Sequence, residues 1–301
     1  MVPNDDAHEP LFRSLLEVDV AAASHPGKVR KNNEDHFLVG RLGRSLELLG
    51  TNLPEGDLPP RYEESGWFVV VADGMGGAEA GEVASRIAIE AGLFHHLARP
   101  AWFFDGDLGA AGRILDRMRE LLDRIQDDVL RVANSDHSLA GMGTTLTVAY
   151  LTGGNLFLAH VGDSRAYLYR RGRLNQLTRD QTLVQQLVDQ GSIEPEAATK
   201  HPLRHVLAHA IGAGEGGPLA AELQHLTLGD GDRLLLCSDG VTEAVDDAAL
   251  AEILGRATSA QAACDEVLAR ALDNGGPDNT TVIVADVRLL GGEADTVTMD
   301  G

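Results

Sequence analysis

The sequence predicts an α+β fold in which β-sheets pack together and helices cover the outside. Short β-rich segments occur in a group, at residues 144–151, 156–161 and 165–170, with Gly153-Gly154 as a hairpin turn between the first two. We expect these strands to form an antiparallel meander. Helical segments occur in pairs between groups of strands, which disfavours the strict alternation of a parallel doubly wound sheet.

The N-terminal part begins with a polar lead-in over residues 1–17. An extended segment starts at residues 17–23 and continues after a Pro-Gly turn. Residues 41–66 contain three prolines, so we expect a long irregular connection there. A strand is predicted at residues 67–72, where aromatic and β-branched residues follow one another.

Four segments are expected to be helical, at residues 80–97, 113–132, 247–255 and 260–273. In the first two, apolar residues recur at helical spacing. In the first of these helices the apolar positions are Ile87, Ile89, Leu93 and Leu97.

Residues 182–226 interrupt the strands with a helix-forming stretch and a glycine cluster, and we expect them to form an inserted flap. Strands at residues 232–237 and 279–289 resume the sheet. The predicted domain therefore extends over residues 18–290, followed by a tail at residues 291–301 that is expected to be disordered.

Composition excludes several classes of partner. Asp and Glu number 46 against 25 Lys and Arg, a net charge of −21, and this charge disfavours nucleic acids and anionic membranes. The two cysteines, Cys237 and Cys264, are far apart in the chain, which favours reduced thiols in a cytoplasmic protein. The sequence lacks a stretch of about 20 apolar residues, so a soluble protein is expected.

Five aspartates border short apolar runs. Such runs read as strands, and a carboxylate at a strand end is a rigidly held oxygen ligand. Taken singly, these positions could be ordinary turns, because Asp-Gly is a common turn dipeptide. Together they would place like charges near one another, and a cation would compensate them. The sequence therefore predicts a divalent-metal site formed by Asp35, Asp73, Asp163, Asp239 and Asp278.

Other catalytic motifs are incomplete. Ser164 lies in a near match to a nucleophile elbow, but a strand follows where a helix is required. The glycines after Asp73 have the wrong spacing for a dinucleotide loop. Cys237 has no following Arg to hold a phosphate, so a buried core cysteine is favoured. Three histidines spaced four residues apart could share a helical face as metal ligands or belong to a solvated flap helix: His201, His205 and His209.

An ordered set of motifs resembles the metal-dependent serine/threonine protein phosphatases, the type 2C family, in its bacterial form. The set covers about residues 18–287 and consists of Arg30 with Glu34-Asp35, Val71-Ala72-Asp73-Gly74-Met75-Gly76-Gly77, Gly141-Met142-Gly143-Thr144-Thr145, Gly162-Asp163-Ser164-Arg165, Ser238-Asp239-Gly240 and Gly276-Pro277-Asp278-Asn279-Thr280-Thr281. The resemblance implies a four-layer αββα sandwich, with two antiparallel sheets flanked by helices and a binuclear Mg²⁺ or Mn²⁺ centre at one end.

The resemblance also implies a role for each motif residue. Asp73 would bridge both metals. The Gly74 carbonyl would complete one side with Asp35 or Glu34, directly or through water. Asp239 and Asp278 would complete the other side, and Asp163 would hold a third, weaker ion.

Arg30 is the candidate phosphate clamp, because guanidinium donors match two phosphate oxygens. Two hard cations about 4 Å apart can lower the pKa of a water and hold both oxygens of an in-line displacement, so a protein nucleophile is unnecessary. Met75 occupies the position where animal members have His, and a thioether cannot donate a proton.

Two hypotheses follow from these observations. The first is a phosphatase that hydrolyses phosphoserine and phosphothreonine on proteins; the second is a catalytically silent regulator that binds phosphoproteins. Retention of all five aspartates favours the enzyme, because a binding module does not need mutually repelling carboxylates. The resemblance implies phosphorylated proteins as substrates and a cognate serine/threonine kinase as a functional partner, and we expect a monomer.

Overall fold

The computed structural model describes residues 16–54, 61–76, 80–98, 110–198, 201–213 and 219–290. The strands, in chain order, are β1 (Leu16–His25), β2 (Asp35–Glu47), β3 (Arg61–Met75), β4 (Gly143–Thr144), β5 (Leu146–Thr152), β6 (Asn155–Val161), β7 (Arg165–Arg170), β8 (Arg173–Gln176), β9 (Glu222–Thr227), β10 (Arg233–Cys237) and β11 (Thr280–Leu289). The α-helices are α1 (Ala80–Leu97), α2 (Ala110–Ser135), α3 (Leu183–Asp189), α4 (Pro195–Ala198), α5 (Asp239–Thr242), α6 (Asp247–Arg256) and α7 (Ala260–Asp273).

The strands form two antiparallel sheets. One has the order β1-β11-β10-β7-β8, and the other has the order β2-β3-β5-β6-β9 with the short β4 paired to β3. Apolar residues of both sheets meet in a central core that includes Leu158, Leu234 and Ile283. Helices α1 and α2 pack on the outer face of the β2–β9 sheet, and α6 and α7 pack on the other sheet. The predicted four-layer αββα sandwich is confirmed.

Helix α1 lies close to its sheet because its buried residues are small. They are Ala80, Gly81, Ala84, Ser85, Ala88 and Ala91, together with His96 near the helix end. The larger Leu93 and Leu97, which the sequence pattern placed among the apolar positions, are 41% and 52% exposed. Small side chains let the helix backbone approach the strand that ends in the predicted metal motif.

The predicted irregular connection at residues 41–66 is wrong, because much of it is a long β-ribbon. β2 and β3 remain paired from Asp35 opposite Asp73 as far as Glu47 opposite Arg61. β5 pairs with β3 only between Gly66 and Val71, so the outer part of the ribbon projects beyond the sheet. In this outer part the side chains of β2 are mostly exposed. The sequence therefore lacks the alternation of apolar and polar residues that identifies a half-buried strand.

Two further expectations need correction. β5 and β6 form the predicted hairpin, but β7 belongs to the other sheet, so the three strands do not form one meander. Gly162 joins β6 to β7 with φ of 113°, a conformation that L side chains rarely adopt. The predicted flap at residues 182–226 ends earlier, because β9 already pairs with β6 in the sheet.

The chain ends lie mostly outside the described residues. β1 begins at Leu16, so the last two residues of the predicted lead-in already belong to the sheet. The rest of the lead-in and the predicted tail at residues 291–301 are not among the described residues. Within the described part of the chain, the helices are all too short or too polar to cross a bilayer.

Candidate metal centre

The two sheets bring the predicted carboxylates to one end of the sandwich. Asp35 begins β2 and pairs directly with Asp73 near the end of β3. Asp239 follows β10 and Asp278 precedes β11, and these two strands are neighbours in the opposite sheet. Asp163 lies in the turn between β6 and β7, which connects the sheets. All five residues that the sequence pattern singled out therefore converge.

The charges of this cluster act on one another. Burial raises the pKa of Asp73 well above its usual range, and the nearby charges raise it further: Asp35, Asp239, Asp163 and Asp278. Burial likewise raises the pKa of Asp239, with added repulsion from Asp163, Glu243, Asp278 and Asp35. A cluster whose members cannot all ionise in isolation fits a site that binds cations.

Asp35 is held with one oxygen engaged and one oxygen available. Its Oδ2 accepts hydrogen bonds from Ser238 Oγ at 2.7 Å and Thr281 Oγ1 at 2.7 Å. Its Oδ1 is buried and, within the described residues, accepts no hydrogen bond. Burial raises the pKa of Asp35 to about 6, although both hydroxyl donors act to lower it. A buried carboxylate oxygen without a hydrogen-bond donor is available to bind a divalent cation or one of its waters.

Gly74 lies where backbones pack too closely for a side chain. A Cβ at this position would lie 2.1 Å from the Gly81 carbonyl oxygen of α1 and 2.7 Å from the Glu34 carbonyl oxygen. The Gly74 N–H donates to the Glu34 carbonyl at 3.2 Å. The close approach of α1 thus fixes the backbone at Gly74, whose carbonyl is the predicted ligand.

Glu34 and Arg30 lie on the loop before β2. Burial raises the pKa of Glu34, and an ideal Cβ on Gly81 would lie 2.6 Å from its Oε2, so this carboxylate packs against α1. The Arg30 guanidinium donates to Asp278 Oδ2 at 2.6 Å, and its side chain is 58% exposed. Arg30 therefore contacts a predicted metal ligand and also faces solvent at the mouth of the centre.

Asp163 is connected to the flap through Gln181. The Gln181 N–H donates to the Gly162 carbonyl at 2.7 Å, and its Oε1 accepts from the Gly162 N–H at 3.1 Å. The same residue binds the returning part of the flap, where its carbonyl accepts from Ala208 N–H at 2.7 Å and its Nε2 donates to the Ala220 carbonyl at 2.9 Å. The sequence analysis missed Gln181, because these partners are far apart in the chain.

An ion pair between an arginine and a carboxylate supports the same turn. Arg165 forms two hydrogen bonds with Asp180, of 2.8 and 2.7 Å, and a third with Tyr167 Oη at 3.0 Å. Burial raises the pKa of Asp163 to about 7, with further repulsion from Asp180 and an opposing effect of Arg165. The pKa of Asp163 is thus affected by an acidic and a basic neighbour that are paired with each other.

Both alternatives for His201, His205 and His209, a helical face of metal ligands and a solvated flap helix, are wrong, because no helix forms at residues 201–210. Residues 201–210 form turns and an isolated bridge, because their backbone pairs with the start of the flap: the Val206 carbonyl accepts from Leu183 N–H at 2.8 Å. His205 nevertheless reaches the centre, where its Nδ1 lies 2.6 Å from Glu243 Oε1. Ligand atoms of His205, Asp239 and Glu243 lie within 4.8 Å of one another. The sequence analysis did not consider Glu243, which lies one turn after Asp239.

The serine and the cysteine that were considered as nucleophiles are both buried in the structure. Ser164 is fully buried, and its Oγ lies 2.8 Å from Thr145 Oγ1. Cys237 is buried in the core of the β10–β11 sheet, and burial raises the pKa of its thiol to about 12. A thiol at that pKa remains protonated near neutral pH and is a poor nucleophile.

Comparisons with known proteins agree with this arrangement. The family model described as protein phosphatase 2C matches residues 57–273. The chain is 38% identical over 277 residues to the serine/threonine protein phosphatase PstP of Mycobacterium tuberculosis, covering 92% of this chain and 46% of that protein. It is 35% identical over 223 residues to the serine/threonine phosphatase Stp of Listeria innocua, covering 74% of this chain and 85% of that protein.

Solved structures show the same relationship. The catalytic domain of PstP, determined with two manganese ions, has a TM-score of 0.70 at 35% identity and covers 91% of this chain and 99% of that one. Stp1 of Staphylococcus aureus has a TM-score of 0.72 at 27% identity, with coverages of 95% and 98%. The chain spans about half the length of mycobacterial PstP, since the match covers 46% of that protein. With a family model over most of its length and relatives at 38% and 35% identity, this chain belongs to the protein phosphatase 2C family.

Proposed function

We propose that the chain is a metal-dependent protein phosphatase that hydrolyses phosphoserine and phosphothreonine. The main support is the convergence of Asp35, Asp73, Asp239 and Asp278, with Asp35 Oδ1 buried and, in the described structure, without a donor. Relatives named serine/threonine phosphatases support the reaction, and the manganese-containing structure of PstP supports the cofactor class. Carboxylate and carbonyl oxygens suit Mg²⁺ or Mn²⁺ rather than softer metals.

In this proposal each carboxylate keeps the role that its position favours. Asp73, which is buried among carboxylates from both sheets, would serve both ions, and the Gly74 carbonyl and Asp35, with Glu34 beside it, would hold one of them. Asp239 and Asp278 would hold the other ion, and Asp163 would contribute to a third. The bound ions would lower the pKa of a water and clamp the oxygens of an in-line displacement.

The direct test is hydrolysis of p-nitrophenyl phosphate and of a phosphothreonine peptide by the purified chain, with and without Mn²⁺. We expect turnover that depends on Mn²⁺ and is lost with a chelator. If the folded, Mn²⁺-loaded protein binds the peptide without turning it over, the silent phosphoprotein-binding regulator replaces this proposal.

Asp163→Ala tests the third ion. Removing this carboxylate should lower turnover about ten- to a hundredfold, because it removes one of several charges that stabilise the reaction, while two ions still bind. Kinetics should be combined with manganese stoichiometry by elemental analysis. A variant that had lost all its manganese would place Asp163 among the ligands of the two core ions.

Arg30→Ala tests the phosphate clamp. Among the described residues Arg30 donates one hydrogen bond, to Asp278, so further guanidinium donors remain for a phosphate. Losing charge-assisted bonds of about 1.5–3 kcal/mol should lower kcat/KM roughly ten- to a hundredfold. The Mn²⁺ concentration for half-maximal activity should remain unchanged, and Arg30→Lys should restore part of the activity. A large increase in that concentration would show that Arg30 orients Asp278 instead.

The proposal extends to the partners, location and oligomeric state of the protein. Phosphorylated proteins are the substrates, and a serine/threonine kinase acts on the same proteins. The net charge of −21 supports the exclusion of nucleic acids and anionic membranes as partners. A cytoplasmic location and a monomeric state complete the proposal, and gel filtration of the purified chain tests the latter.

A further inference from the structure

A short basic segment stands at the mouth of the metal centre. Lys28, Val29, Arg30 and Lys31 are consecutive, and all four are exposed. The protein as a whole is strongly acidic, with a net charge of −21. Three cations in four residues are therefore a local reversal of the overall charge, and they lie beside the centre rather than on a remote surface.

The segment is held rigidly by the arm that carries Asp278. Asn279 Nδ2 donates to the carbonyls of Pro26 at 3.0 Å and Asn32 at 2.8 Å, and its Oδ1 accepts from the Glu34 N–H at 2.8 Å. These hydrogen bonds fix the backbone of the loop before and after the four exposed residues. A loop fixed at both ends binds a partner without the cost of ordering its backbone.

Backbone contacts bring the loop against the same arm at closer range. The Lys28 N–H donates to the Gly276 carbonyl at 2.8 Å, and a Cβ at Gly27 would lie 2.3 Å from the Asp278 carbonyl oxygen. Gly27 has φ of 79°, which suits glycine. The loop therefore cannot shift away from Asp278 without breaking this packing.

The three cations are not equivalent. Arg30 is engaged with Asp278 at 2.6 Å. Within the described residues, the ammonium groups of Lys28 and Lys31 form no ion pair or hydrogen bond. Val29 lies between them with 70% of its surface exposed. Two available cations around an exposed apolar side chain suit a peptide segment that carries anionic groups.

We propose that Lys28 and Lys31 select substrates in which acidic side chains flank the phosphorylated residue. The inference rests on the proposed phosphatase function, since the phosphoryl group would occupy the centre beside Arg30. The acidic protein surface repels such a segment at long range, and the basic loop attracts it at the point of entry. The specificity determinant is thus separate from the residues proposed to hold metal.

The experiment compares two phosphothreonine peptides that differ only in their flanks, Glu in one and Gln in the other, with Mn²⁺-loaded protein. The readout is the ratio of their kcat/KM values, which cancels differences in folding and metal loading. We expect the protein to favour the Glu peptide about three- to tenfold at about 0.15 M salt, where the long-range repulsion is screened, and the preference to fall as more salt is added.

The double substitution Lys28→Gln with Lys31→Gln should bring the ratio close to one, and Lys28→Glu with Lys31→Glu should invert it. Arg173→Gln is the control, because Arg173 is an exposed cation on β8, opposite the end of β7 that lies farthest from Asp163. It should keep the original ratio. Equal turnover of both peptides by the unsubstituted protein, or a ratio unchanged by the lysine substitutions, would overturn the inference. Failure to turn over either peptide would instead contradict the phosphatase proposal on which it rests.

Discussion

Asp239→Asn is expected to reduce turnover about a thousandfold and to weaken Mn²⁺ binding in parallel. The substitution keeps the shape of the side chain and removes an anionic ligand from a cluster that includes Asp73 and Asp278. Metal ions supply several kcal/mol of stabilisation to a developing charge, and about 4 kcal/mol corresponds to a thousandfold in rate. The fold should survive, since Asp239 is half-buried at the start of α5 and does not belong to the apolar clusters.

The same substitution has a second expected signature. Without metal, removing one charge relieves repulsion within the cluster, so the metal-free variant should melt at a higher temperature than the metal-free original. Asp19→Asn is the matched control, because Asp19 is exposed and lies away from the end of β1 that approaches the centre. Steady-state kinetics, calorimetric Mn²⁺ titration and thermal melts of both variants give the comparison. Near-original activity of Asp239→Asn at limiting Mn²⁺ would remove this residue from the metal site.

Without metal, the protein is expected to lose stability as pH rises from about 4 to about 7. Burial raises the pKa of Asp35 from 3.8 to about 6 and that of Asp163 from 3.8 to about 7. A carboxyl with a raised pKa binds more protons in the folded state than in the unfolded state over this interval. The free energy of unfolding therefore falls as pH rises.

Asp35 alone gives the size of the effect. The difference between 3.8 and about 6 corresponds to about 3 kcal/mol, which would lower the melting temperature by about 6–12 °C. Saturating Mn²⁺ should oppose this fall, because the cation binds the ionised carboxylates and competes with protons. The stabilisation that Mn²⁺ provides should therefore grow with pH.

Thermal melts in a chelator and in Mn²⁺, from pH 4.5 to pH 7.5, test this expectation. Asp35→Asn cannot ionise and should flatten the slope of the metal-free series, whereas Asp19→Asn removes a surface charge and should leave the slope unchanged. A metal-free melting temperature that rises across the interval would contradict the assignment of raised pKa values to the cluster.

The metal motifs were predictable because their signal is local. Each aspartate borders an apolar run of a few residues, and a strand that ends in Asp can be recognised without knowing its neighbours. Convergence followed from the expectation that like charges gather only around a cation. Pairing of Asp35 with Asp73 and the proximity of β10 to β11 agree with it.

The features that the sequence analysis missed depend on contacts between distant parts of the chain. The outer β-ribbon has exposed side chains, so its strands lack a buried alternation. Helix α1 was assigned the right bounds, but its buried face consists mainly of small residues that carry little hydropathy signal. Gln181 and Glu243 are ordinary polar residues in sequence, and their positions become evident only when the flap returns to the sheet.

The contacts of Gln181 bring the two ends of the flap to one residue. Because its main chain and side chain bind Gly162, Ala208 and Ala220, the chain leaves the sheet and returns to it at almost the same place. An insertion whose ends are fixed side by side can change in length or sequence with little effect on its support. The segment between these ends is thus organised as an exchangeable module. Flaps of different sequence could replace one another in evolution, or in a designed chimera, while the turn that carries Asp163 keeps its geometry.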